Sequence, residues 1–157
     1  MFMNKNNPIY ILKRRKDKDH DIFNYGGTYY GDIKNNQAHG KGILFLKNGH
    51  QYIGQWENNK MHGKGILFSP EGDKYIGEFK NNMMCGLGIK FFSDGTYYIG
   101  QHKNNMFNGR GILTCSDGTR DIGTWKDSLM HGDITIQYDD GFILQTSFKN
   151  GEEIENI

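Results

Sequence analysis

Three histidines, His39, His62 and His131, recur at equivalent places in the chain, with Cys85 and Asn108 filling the same column. Imidazole and thiolate are zinc ligands, so the column could be read as a metal ladder. One zinc draws all its ligands to within about 2.0–2.3 Å. Residues repeated on successive β-hairpins stand two strands apart, roughly 9.5 Å, so they do not share an ion. Glu71, Asp94, Asp117 and Asp140 fail in the same way as a calcium site or a catalytic carboxylate pair, and no EF-hand spacing is present. Each precedes a glycine, and turn chemistry accounts for it. Segments such as Gly63-Lys64-Gly65 precede apolar strand-like runs and not helices, so the helix N-terminus of a phosphate loop is missing. Cys85 and Cys115 form no metal or redox motif, and no serine or threonine sits in a nucleophile–base pattern. The residues predict no catalytic site, no metal and no cofactor.

What positions these residues is a repeat of 23. Gly31, Gly54, Gly77, Gly100 and Gly123 are each 23 apart. So are Gly40, Gly63, Gly86, Gly109 and Gly132, and so is the column from Gly26 through Gly49, Gly72, Gly95 and Gly118 to Gly141. A fourth column, Gly42, Gly65, Gly88 and Gly111, stops at Ile134. Tyr29, Tyr52, Tyr75 and Tyr98 share a column that ends on Asp121, and Ile33, Trp56, Phe79, His102, Trp125 and Phe148 share another. The chain holds 22 glycines but only two prolines, and 13% aromatics, which speaks for many short strands joined by tight turns.

The clearest unit runs Tyr52-Ile53-Gly54-Gln55-Trp56-Glu57-Asn58-Asn59-Lys60-Met61-His62-Gly63-Lys64-Gly65-Ile66-Leu67 and closes at Glu71-Gly72. It resembles the MORN repeat over about residues 20–150. The resemblance implies a scaffold, a membrane-associated linker or a cytoskeletal adaptor.

Tyr52, Gly54 and Trp56 alternate, so they share one face of a strand. Asn58-Asn59 suits a two-residue hairpin turn, because asparagine tolerates positive φ. That register puts Gly63, Gly65 and Leu67 on the same face as the aromatics, with the rings lying across glycine backbone. The fold class is therefore all-β, an elongated antiparallel meander of 23-residue hairpins in a single twisted sheet or solenoid of about twelve strands. Three segments are expected: residues 1–19 as an N-terminal cap or degenerate first hairpin with a basic run, 20–150 as about five full repeats with partial ones at each end, and 151–157 as an acidic tail.

The formal net charge of +1 selects no partner class, and the aromatics follow the structural period, so nucleic-acid binding is not expected. The start lacks the apolar core of a signal peptide, and no apolar run approaches a membrane span. A cytoplasmic chain, associated with cytoskeleton or membrane, fits these features. The function expected is a non-catalytic protein-interaction scaffold. An extended or helical partner would lie along the aromatic face on Tyr52, Trp56, Tyr75, Phe79, Tyr98 and Trp125. The resemblance implies cytoskeletal, axonemal or motor-tail partners. Ile53, Ile76, Ile99 and Ile122 form a stripe on the opposite face, open to two readings: ordinary strand packing, or a contact strip for a helix or a second copy. The alternative is a peripheral membrane linker, with Lys13, Arg14, Arg15 and Lys16 touching anionic lipid.

Overall fold

A computed structural model describes residues 26–154 of the chain. They form one open sheet of twelve antiparallel strands in strict chain order. The strands are β1 (Gly27–Lys34), β2 (Gln37–Leu46), β3 (Gln51–Glu57), β4 (Lys60–Phe68), β5 (Lys74–Lys80), β6 (Met83–Phe91), β7 (Tyr97–Lys103), β8 (Met106–Thr114), β9 (Arg120–Lys126), β10 (Leu129–Gln137), β11 (Ile143–Lys149) and β12 (Glu152–Ile154). The all-β meander expected from the period is what the chain forms. The expected N-terminal cap over residues 1–19 lies outside the described residues. At the other end, Glu152–Ile154 continues the sheet by pairing with β11.

Two kinds of turn alternate. Asn58 and Asn59 both lie in the left-handed region, φ 49° and 63°, which is the two-residue type I′ turn that matches strand twist. The glycine-closed turns are wider than a two-residue loop. In the third of them, the Phe92 amide donates to the Thr96 carbonyl and the Gly95 amide to Phe92, while the Asp94 carboxylate accepts from the Thr96 amide at 2.8 Å. Asp117 and Asp140 accept in the same way, so the three aspartates of the acidic column are Asx-turn chemistry.

The asparagine turns also join one hairpin to the next. The Asn59 side-chain oxygen accepts from the Ala38 amide at 2.7 Å, and the Asn59 amide donates to the Ala38 carbonyl at 3.0 Å. Asn82 holds Met61 and Asn105 holds Met84 with the same two bonds. Ser128 holds Phe107 likewise, its hydroxyl replacing the amide oxygen. The turn residue thus extends the backbone ladder by one rung, onto a residue 21 positions earlier.

Each of the first five hairpins carries a bulge. Between β3 and β4 the pairing runs Tyr52↔Leu67, Ile53↔Ile66, Gly54↔Gly65, and then jumps to Gln55↔His62. Gly63 and Lys64 are the inserted pair, and Gly63 takes φ 59°. Because two residues are inserted, Gly65 and Leu67 keep the aromatic face. Gly63 itself does not lie beneath the rings as the simple register implied; it forms the bulge, with the Gln55 side chain folded over it.

Candidate functional site

The two faces of the sheet carry different chemistry. On the inner face each tyrosine ring lies over a pair of facing glycines. Tyr52 covers Gly54 and Gly65, Tyr75 covers Gly77 and Gly88, and Tyr98 covers Gly100 and Gly111; a β-carbon at any of these glycines would collide with the ring. The hydroxyl reaches past the glycines into the bulge. Tyr52 donates to the Gln55 carbonyl at 3.0 Å, Tyr75 to Glu78 at 3.2 Å and Tyr98 to Gln101 at 3.2 Å. These carbonyls sit where the bulge interrupts the ladder. Burial drives the phenol pKa values upward, with Tyr29 and Tyr98 pushed to about 12.

The second aromatic column locks onto the tyrosines. Trp56 packs edge-on against Tyr29 and Tyr52, Phe79 against Tyr52 and Tyr75, and Trp125 against Tyr98. The Trp56 indole N–H donates to the Gly42 carbonyl at 3.2 Å. The six aromatics expected to receive a partner, Tyr52, Trp56, Tyr75, Phe79, Tyr98 and Trp125, are only 0–4% exposed. They are the core of a single layer, since the described residues form no second sheet to bury an apolar face. A ring covered to this degree presents no surface for a partner to grip.

His102 occupies the tryptophan place in the fourth hairpin and is 4% exposed. It is ringed by Tyr75, Tyr98 and Phe107 at 4.9, 5.2 and 5.5 Å. Its Nδ1 lies 3.2 Å from the Gly100 carbonyl, which can only accept, so Nδ1 carries the proton. Nε2 is then a bare acceptor, buried without a partner among the described residues. Burial lowers the imidazole pKa. In the His39 column, His62 Nδ1 lies 3.3 Å from the Glu57 carboxylate.

The outer face is where apolar groups meet solvent. Ile53, Ile76 and Ile99 are 37–45% exposed, while Ile122 is half-buried. They belong to a longer lane than the stripe read from sequence. Strand pairing sets Ile43, Ile53, Ile66, Ile76, Ile89, Ile99, Ile112 and Ile122 side by side across eight consecutive strands, with Tyr30 before them and Thr135 after. The eye misses this because the isoleucines come from two columns, Ile53 and Ile66, which only the hairpin register interleaves. On one side runs a lane holding Phe45, Phe68, Lys74, Phe91 and Tyr97, with the Lys74 ammonium 4.5 Å above the Phe91 ring. On the other runs a lane holding Lys41, Lys64, Glu78, Leu87 and Arg110. A shallow depression of about 540 Å³ lies between this second lane and the isoleucines, bordered by Ile53, Ile66, Ile76, Lys64, Glu78 and Leu87. Leu87 stands proud at 65% exposure.

Side chains before the first four bulges fold back over them. The Gln55 amide oxygen accepts from the Lys64 amide at 2.7 Å, Gln101 from Arg110 at 2.9 Å, and the Asp32 carboxylate from Lys41 at 2.9 Å. Glu78 occupies the same position, but its carboxylate shows no such bond among the described residues. Lys13, Arg14, Arg15 and Lys16, the expected lipid contact, lie outside the described residues.

A family model described as "MORN repeat" matches residues 29–51, 52–74, 75–97, 98–120 and 122–132. No curated protein matches the chain. Among solved structures, it is similar to the SAS-4 (dCPAP) TCP domain in complex with a proline-rich motif of Ana2 (dSTIL) of Drosophila melanogaster. That likeness has 11% identity and a TM-score of 0.40 over 79% of each chain, too weak to bear on function.

Proposed function

This chain belongs to the MORN-repeat family, and from that premise we propose that it is a protein-interaction scaffold whose contact surface is the outer face. MORN repeats are commonly protein- or membrane-binding modules and generally non-catalytic. The observation that carries the choice of face is the continuous isoleucine lane, exposed at Ile53, Ile76 and Ile99, opposite a face whose tyrosine and tryptophan columns are sealed. An apolar strip with a polar border is the ordinary anatomy of a binding surface. The lane suits an extended or helical segment laid across the strands, touching one hairpin about every 9.6 Å. Cytoskeletal, axonemal or motor-tail segments are the partner class the family resemblance suggests, and a cytoplasmic location goes with them.

The test is capture of protein from native extract by the full chain and two double variants. Ile53→Asn with Ile76→Asn keeps the inner core, so capture should fall while the circular dichroism and melting curve hold. Trp56→Ala with Phe79→Ala removes core, so the melting temperature itself should drop. Undiminished capture by the folded isoleucine variant sinks the proposal.

A further inference from the structure

Resting on the reading of the outer face as the contact surface, we propose that its occupant is a second copy of this chain, packed face to face about a two-fold axis running along the isoleucine lane. Three observations carry this. The first is charge. On β5, Lys74 and Glu78 flank Ile76 on the same face, two residues to either side. Neither makes an ion pair among the described residues, and the two are too far apart along an extended strand to meet each other, about 13 Å. A two-fold along the lane reverses strand direction while keeping each strand over its own equivalent. Lys74 then faces Glu78 of the second copy, and Glu78 faces its Lys74.

The second is apolar fit. On β6, Phe91 and Leu87 flank Ile89 in the same way. The same operation lays Phe91 over Leu87 of the second copy, twice, covering the most exposed large apolar side chain of the lane region. Further out, Lys41 meets Phe45 and Lys64 meets Phe68, pairings of a cation with a ring. No like charges face one another across the three lanes. β5 and β6 are the central pair of the eight isoleucine strands, so the best contacts fall in the middle of the interface.

The third is extent. Eight strands span roughly 34 Å, and three lanes with their side chains about 20 Å, or about 1,300 Å² buried in total, within the range of stable dimers.

Sedimentation velocity on the full 157-residue chain tests the pairing. The wild type should sediment as a dimer of the 18.1 kDa chain. Lys74→Glu and Glu78→Lys each set like charges opposite one another and should each weaken self-association about tenfold or more. An equimolar mixture of the two variants restores both opposite-charge contacts and should recover dimer at wild-type affinity. A wild type that stays monomeric at about 100 μM overturns the inference, as does a dimer in which both charge variants self-associate unchanged. If the wild type is monomeric yet Ile53→Asn with Ile76→Asn still abolishes capture from extract, self-pairing falls and the scaffold reading stands. If that double variant also captures normally, both fall.

Discussion

Ile134 stands directly across the ladder from Gly123, and its Cδ1 fills the space over that glycine which a tyrosine ring fills in each of the first four hairpins. The tyrosine column is broken at this hairpin by Asp121, so the two exceptions compensate: where the ring is lost, a facing glycine has grown a side chain. Ile134→Gly should cost about 2–5 kcal/mol, as expected for emptying a buried aliphatic site. Adding Asp121→Tyr to it should recover part of that loss, measured by urea denaturation. Equal loss in the single and double variants would show that the two positions are independent.

Gly65→Ala places a methyl group against the Tyr52 ring and the facing backbone. It should destabilise by about 1–3 kcal/mol, the usual cost of overpacking. Gly132→Ala meets nothing within 4 Å, and at φ 75° carries only the left-handed backbone cost of about 1–2 kcal/mol. Guanidinium midpoints should rank the two in that order.

Asn59→Gly keeps the left-handed turn but deletes the side-chain bond to the Ala38 amide. The expected loss is about 1 kcal/mol. Hydrogen exchange should quicken at Ala38 while the Met61 amide, held by Asn82, is unaffected.

His102 loses affinity for protons on folding, because burial opposes its charge. The unfolded chain therefore binds the extra proton below its ordinary pKa near 6.5. Stability from this residue is complete above that pH and falls as pH drops through the lowered folded pKa. The melting temperature should decline from pH 7 to pH 5, and His102→Phe, which restores the type found at Phe79, should flatten that slope. An unchanged slope would place the acid sensitivity elsewhere.

Tyr29 and Tyr98, pushed up to about 12, run the other way. The unfolded phenol ionises near pH 10, so stability is full below that pH and is lost between about 10 and 12. Tyrosinate absorbance should lag free tyrosine until the chain unfolds, then rise cooperatively.

Strand number and turn positions could be read from spacing alone, because tyrosine, glycine and asparagine each have a backbone reason to recur. The inner face was also legible as Tyr52, Gly54 and Trp56. Its burial was not: periodicity sorts residues between faces but does not say which face the rings seal. Gly63 shows a second limit. A strict period constrains the length of a unit, and an inserted pair repeated in every unit leaves that length unmarked. Asn59 shows a third, since its bond to Ala38 depends on a neighbour that exists only once two hairpins dock. The eight-isoleucine lane was half visible for the same reason, as Ile53 without Ile66.

Every described strand pairs only with its neighbours in sequence, and the ties between hairpins, whether turn hydrogen bonds 21 residues back or ring contacts 27 residues back, reach only the adjacent hairpin. Nothing near one end therefore depends on how far away the other end is. Copying or removing one 23-residue unit would change the reach of the sheet by about 9.6 Å and leave every other joint as it was. The chain behaves as a measuring rod, its length counted in whole hairpins, and the number of copies sets the distance between whatever is attached to its ends.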